Sequence, residues 1–405
     1  MRSKHKVNQA EEFGLADLNS EQQEAVLHTK GPMLVLAGAG TGKTSVLTRR
    51  IARLIETGVK PEEILALTYT RKAACEMKER MLVLAGASAS KIRIGTFHSL
   101  ALDIVRRYSN VVGLASPPTI GEGMTFDRLL ILAAEILSLS EIAKAELRQE
   151  CRHVLVDEYQ DTNAVQFSIL RSLLSAEENL FVVGDDDQSI FSFQGSSREL
   201  IRSFEDCFPT ASVVTLTRNY RCSTAIIDLA NSVMADVEDR FDKKLEASRD
   251  EPGSVSLATL ESCDCEKQFI ADSILRFRDH SGCTLGDIGV LVRSHGIGHE
   301  IANHLESHGI STDNPNGVHV QTLHSSKGLE FPIVFMPALE QGRLPHFASV
   351  NSGYSAIEEE RRLFYVGVTR ARDHLILSCG RERSGRSQQV SEFVRAIPRR
   401  LYESL

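Results

Sequence analysis

Leu34–Arg50 reads LVLAGAGTGKTSVLTRR: an apolar run, a string of small residues, a Lys-Thr pair and the start of a longer tail. In that tail Val46, Leu47, Ile51, Leu54 and Ile55 recur at helical spacing, so the order predicted is strand, loop, helix. Gly38, Gly40 and Gly42 let the backbone turn tightly and aim its N–H groups inward at an anion. Lys43 then reaches the outer phosphates, and the Thr44 hydroxyl holds Mg²⁺. Ala39, Gly40, Thr41, Gly42, Lys43 and Thr44 are therefore the candidate phosphate cradle. The strict P-loop pattern has glycine where Ala37 stands, a small-residue departure that leaves the mechanism intact.

Working outward, short apolar runs recur along the chain: MLVLAG, ILALTYT, IRIGTFH, HVLVDEY and LFVVGD, then SVVTLT, VSLATL, IGVLV, VHVQTL, PIVFM and HLILS. Many lack strict alternation, as expected of strands covered on both faces by helices, which predicts an α/β fold. The polar turn DCFPT at 206–210 separates two series of strands, so the expected domains are 1–208 and 209–405.

The chain has 405 residues, 42% of them hydrophobic, enough for more than one core. A formal charge of −8 argues against a protein held to nucleic acid by bulk positive charge, so any such contact must be local. The eight cysteines are scattered, and Cys263, Cys265 and Cys283 lack paired CxxC spacing, which predicts free thiols and no zinc site. The opening MRSKHKVNQAEEFG has no apolar signal core, and the longest apolar stretch, LLILAAEILSLSEIA, is broken by Glu135. The expectation is a soluble cytoplasmic protein without membrane contact.

Two further strand ends carry acids. HVLVDEYQDTN presents Asp157 and Glu158; taken alone this is a solvated turn, but beside a P-loop Asp157 is the Mg²⁺ partner and Glu158 the base for an attacking water. LFVVGDDDQSIF presents Asp185, Asp186, Asp187 and Gln188, the last a candidate γ-phosphate sensor. Far down the chain, LTRNYRCST carries Tyr220 and Arg221, and VTRARDHL carries Arg370. An arginine facing the γ-phosphate raises hydrolysis by about 10³ to 10⁵ in favourable cases. These residues predict a nucleoside triphosphatase.

Their order adds more. LNSEQQEAV, AGAGTGKTS, LALTYTRKAACEMKERM, IGTFHSLA, VDEYQDTNAVQ, VGDDDQSIF, LTRNYRCST, VQTLHSSKGLEFPIVFM and EEERRLFYVGVTRARDHL together resemble the motif set of the UvrD/Rep/PcrA group of superfamily 1 DNA helicases. The resemblance runs from about Leu18 to Ser378. It implies two RecA-like P-loop NTPase lobes with parallel sheets flanked by helices, and a small helical insertion at about 100–150 in the first lobe. It also implies that ATP is pinched between the lobes, with single-stranded DNA bound across them and movement 3′ to 5′. By resemblance Gln22 reads the adenine edge, Tyr220 stacks on the base and Glu330 contacts the ribose. Lys43, Glu158, Gln188, Arg221 and Arg370 take the catalytic roles already assigned. Thr68, Tyr69, Thr70, Thr96, Phe97, His98, Phe191, Phe193, Thr322, Leu323 and His324 match motifs that line the single-strand path, where aromatic faces and small polar groups suit sequence-independent grip.

Departures from the family pattern qualify this. Phe193 stands in place of the common stacking Trp, Gln194 in place of an Arg, and Ser45 where many relatives carry an Arg. Asp157 follows His98 by only 59 positions, and Thr322 follows Arg221 by about a hundred. Full-sized relatives carry large helical subdomains in both intervals. A shortened motor is expected, acting on DNA with a single-stranded tail. The alternative is an ATP-sensing regulatory subunit of a nuclease or repair partner. A P-loop kinase fits poorly, having no use for Arg370 together with TLHSSKGLEF.

Overall fold

Residues 15–114, 124–312, 314–383 and 385–405 are described by the computed structural model. The chain divides into two units. The first takes the described residues up to Ala37 together with Gly42–Asp186 and Phe191–Leu216; the second takes Gly38–Thr41, Asp187–Ile190 and Thr217–Leu405.

In the first unit six strands form one sheet: β1 (Met33–Ala37), β2 (Ile64–Thr68), β3 (Arg93–Thr96), β4 (His153–Val156), β5 (Leu180–Gly184) and β6 (Ser212–Leu216). Their order is β3-β2-β4-β5-β1-β6, and every pair is parallel. β1, β2 and β5 are buried along their whole length, which is why their sequences are continuous apolar runs rather than alternating ones. Leu36 pairs with Gly184 and Val156 with Val182, so the loops leaving β1, β4 and β5 emerge on the same edge. Ligands of open parallel sheets bind at that edge.

α1 (Ser20–Leu27) and α2 (Lys43–Glu56) pack together, and Val46, Leu47, Ile51 and Leu54 of α2 are buried in the core with β1. α3 (Arg71–Ala85) follows β2. Between β3 and β4 lie α4 (Phe97–Tyr108), α5 (Phe126–Leu139) and α6 (Glu141–Glu150), the small insertion. Leu129, Leu130, Ala133, Ile136 and Leu137 of α5 are buried, and α5 packs on α4 and on α7 (Ala164–Leu173). Part of the expected insertion, 115–123, lies outside the described residues, as does the opening stretch 1–14.

The second unit repeats the plan. β7 (Ser254–Leu260), β8 (Ile288–Val292), β9 (His319–Thr322), β10 (Phe331–Met336), β11 (Ala371–Gly380) and β12 (Glu403–Ser404) form a six-stranded sheet in the order β9-β8-β10-β11-β7-β12, again wholly parallel. The fold is therefore α/β with two RecA-like sheets flanked by helices.

One boundary differs from the reading of the sequence. Ser212–Leu216, expected to open the second series, pairs with β1, and the units change between Leu216 and Thr217. The DCFPT turn only joins the short helix Phe204–Cys207 to an edge strand. Turn chemistry marks where an element stops, and an αβ connection inside a domain uses the same residues as a linker. Among the described residues no helix is long and apolar enough to cross a membrane.

Candidate functional site

β1 delivers the chain to Gly38. At the far side of the loop Gly42 takes φ 87° as the N-cap of α2, and among the described residues no side chain caps that helix. Its first N–H groups have no intrahelical partner, its first turn holds no acid, and Lys43 begins it, so this terminus is built for an anion. Lys43 Nζ donates to the Ala37 carbonyl at 3.3 Å. Gln22 is buried against Gly42, where a Cβ would come within 2.9 Å of its Nε2. Gln22 Oε1 accepts the Asn19 N–H at 3.1 Å in a capping box, which fixes the direction of the carboxamide.

The acids at the end of β4 sit on a strained turn. Asp157 is buried, its N–H donates to the Leu67 carbonyl at 2.8 Å, and its Oδ1 accepts the Glu158 N–H at 3.0 Å. Glu158 has φ 53° and ψ 45°, a left-handed conformation that non-glycine residues rarely hold. Such strain collects where function needs a side chain aimed in one direction. Gln160, wholly buried, donates from Nε2 to Glu158 Oε2 and accepts the Asp185 N–H at 2.9 Å. The sequence singled out neither this glutamine nor its bridge between two strand ends. The only sequence signal is an amide two residues after the second acid; Asp185 lies 25 positions on.

Within the second unit the loop tip Gly38–Thr41 meets the segment Arg218–Cys222. Asn219 Nδ2 donates to the Ala39 carbonyl at 2.6 Å and the Tyr220 N–H to the Gly40 carbonyl at 2.9 Å. Asn219 Oδ1 accepts the N–H groups of Arg221 and Cys222 at 2.8 and 2.7 Å. Gly40, at φ 68°, has no room for a Cβ, which would lie 2.5 Å from Asn219 Nδ2 and 2.8 Å from Arg221 Cβ. Asn219 is a second residue that the sequence did not single out, although it stands beside Tyr220 and Arg221.

Arg221 Nε donates to Glu330 Oε2 at 2.6 Å and its Nη1 to the Thr369 carbonyl at 3.3 Å. Arg370 is 2% exposed; its guanidinium donates to the Val366 and Leu329 carbonyls, to Thr369 Oγ1, and to Gln188 Oε1 at 3.3 Å. Arg221, Glu330, Arg370 and Gln188, read separately along the chain, are thus linked through Thr369. Tyr220 is 42% exposed.

Among the strand-path candidates of the first unit, Tyr69 stacks on Phe191 with centroids 5.2 Å apart, and Phe191 lies 6.0 Å from Phe193, which is 67% exposed. The Tyr69 hydroxyl donates to Gln194 Oε1. Among the described residues the buried Thr68 hydroxyl has no hydrogen-bond partner. Thr70 and Thr96 are N-caps, accepting the N–H groups of Ala73 and Ser99. His98 meets Phe126 edge-on, and burial lowers its pKa. In the second unit Thr322 Oγ1 accepts the Ser325 N–H. Burial, then the Arg293 charge, brings the His324 pKa down to about 4. Phe97 and Leu323 are buried in their cores, which leaves only their backbones for contact with a strand.

Chemically, the uncapped α2 terminus with Lys43 suits a polyphosphate. The oxygen donors of Thr44 and Asp157 are the ligand type that Mg²⁺ prefers.

Residues 18–122 and 118–209 match the UvrD/REP helicase N-terminal domain, and residues 214–314 and 310–382 match the UvrD-like helicase C-terminal domain. The chain is 31% identical over 361 residues to the ATP-dependent DNA helicase PcrA of Leuconostoc citreum, a match covering 71% of this chain and 48% of that protein. It is 33% identical over 354 residues to the ATP-dependent DNA helicase PcrA of Bacillus subtilis (strain 168), covering 69% and 48%. The chain spans about half the length of the curated relatives it matches.

Proposed function

The chain belongs to the UvrD/REP helicase family, and from that premise we propose that it is an ATP hydrolase that moves along single-stranded DNA, 3′ to 5′, and separates strands. Lys43 and the loop N–H groups bind the phosphates, Gln22 and Tyr220 hold the base, and Glu330 holds the ribose. Thr44 and Asp157 would ligate Mg²⁺, which neutralises charge on the phosphate oxygens when bound. Glu158 orients the attacking water and takes its proton. Arg221, Arg370 and Gln188 stabilise charge as the γ-phosphoryl leaves.

The observation that carries this reading is the contact of Gly40 with Asn219 and Arg221. A loop suited to phosphate and an arginine suited to transition-state charge are neighbours, although some 180 positions separate them in sequence. The aromatic series Tyr69, Phe191 and Phe193 supports a base-stacking surface.

Lys43→Ala or Glu158→Gln is expected to abolish ATP hydrolysis stimulated by single-stranded DNA. Wild-type turnover indifferent to added single strand refutes the motor.

A second reading, an ATP-sensing regulatory subunit of a nuclease or repair partner, is favoured by Gln194. It is neutral where relatives commonly place an arginine, and it is engaged by the Tyr69 hydroxyl. Strand displacement by the chain with and without a nuclease partner separates the two, since robust unwinding by the chain alone removes the regulatory reading.

A further inference from the structure

Asp187 is 1% exposed and carries two cations. Arg240 grips it with both arms, Nε to Oδ1 at 2.9 Å and Nη2 to Oδ2 at 2.6 Å, and Lys243 Nζ lies 2.8 Å from Oδ2. The Lys243 side chain is as buried as the carboxylate, and Arg240 Nη2 also donates to the Lys243 carbonyl at 3.0 Å. All three belong to the second unit. Breaking a buried ion pair is far more disruptive than breaking an exposed one, so the triad is a stiff anchor.

What it anchors is the next residue. Adjacent Cα atoms are about 3.8 Å apart, so fixing Asp187 leaves Gln188 little freedom. Further cations hold the segment on its other side: Lys327 Nζ donates to the Gln188 carbonyl at 2.8 Å and Arg362 Nε to the Ser189 carbonyl at 3.1 Å. Beyond Lys243 the same connector reaches Leu245, whose backbone is held by both ends of the Asn231 carboxamide. Its side chain covers Gly38 so closely that a Cβ there would lie 2.3 Å from Leu245 Cδ2. Arg240–Leu245 thus touches both the residue before Gln188 and the first glycine of the phosphate loop.

We propose that the Asp187–Arg240–Lys243 triad positions Gln188, so that the rate of ATP hydrolysis, and not ATP affinity, depends on it. The inference rests on the reading of Gln188 as a γ-phosphate sensor. Arg240 and Lys243 touch no reacting atom and act through Asp187.

The test measures steady-state ATP hydrolysis with saturating single-stranded DNA for Asp187→Asn, Arg240→Ala and the milder Arg240→Lys, each checked by thermal unfolding. Arg240→Lys keeps a charge beside the carboxylate and loses the two-armed grip, which guards against simple misfolding. Expected is a fall in kcat of at least about tenfold for Asp187→Asn and Arg240→Ala and about threefold for Arg240→Lys, with KM for ATP shifted less than about threefold, as for an interaction made in the transition state. In a Gln188→Ala background the same changes should have little further effect. Unchanged kcat in folded variants, a KM rise that accounts for the loss, or full additivity with Gln188→Ala overturns the inference while leaving wild-type turnover, and hence the hydrolase reading, intact. A wild-type chain that hydrolyses no ATP overturns both.

Discussion

Glu158 offers the sharpest test of the geometry, because its backbone and its side chain can be separated. Both Glu158→Gly and Glu158→Ala remove the carboxylate and the bond from Gln160, so what separates them is the backbone: the cost of φ 53° and the freedom of the unfolded chain. A left-handed conformation costs an alanine about 1–2 kcal/mol, and glycine adopts it freely. Against that, glycine carries more entropy in the unfolded chain, worth about 0.4–1 kcal/mol in favour of alanine. At mid-range the balance is about 0.8 kcal/mol in favour of glycine, opposite in sign to the usual effect of a Gly/Ala exchange. For a unit of roughly 200 residues this corresponds to about 1–4 °C in Tm. Urea unfolding followed by circular dichroism, with Tm by calorimetry, measures the difference; neither variant should hydrolyse ATP. An alanine variant as stable as the glycine variant, or more so, refutes the strained turn.

Phe193→Ala should weaken single-stranded DNA binding by about 1–3 kcal/mol, the worth of one base stack, at fixed salt. Its Tm should be unchanged because the ring is mostly exposed; fluorescence anisotropy checks the affinity, and an unaltered Kd removes Phe193 from the binding surface. His324, whose folded pKa of about 4 lies below its ordinary 6.5, resists protonation because it is buried and faces the Arg293 charge, which together outweigh the opposing pull of Glu360. Its contribution is therefore complete above about pH 6.5 and is lost as pH falls towards 4, by about 1–3 kcal/mol after allowance for partial exposure. His324→Asn should flatten the acid limb of a Tm against pH curve, and superimposable limbs would rule the histidine out.

Most of the architecture was legible because it is written in local pattern. All eleven apolar runs are strands, and the central ones are continuous because a sheet covered on both faces needs apolar residues on both. The loop from Gly38 to Thr44 and the acids after β4 announce themselves by residue type at a strand end. What escaped depends on partners far along the chain. Asn219 bonds the Ala39 carbonyl across 180 positions, and Asp187 finds Arg240 53 positions on. β12, two residues long, carries too little periodicity to be read at all. The DCFPT turn misled because composition marks the end of an element without saying whether the next strand joins the same sheet.

That two-residue strand has a consequence for solubility. β7 is paired along its length with β11 on one side, whereas on the other Glu403 and Ser404 reach only Ser256 and Leu257, and the Leu405 N–H meets the Leu257 carbonyl. Without residues 403–405 the outward backbone groups of β7 at Ser256 and Leu257 lose their partners, and an unpaired strand edge is a template on which a second copy can add a strand. Residues 403–405 thus shield that stretch of edge from a second strand, out of proportion to the few contacts they make.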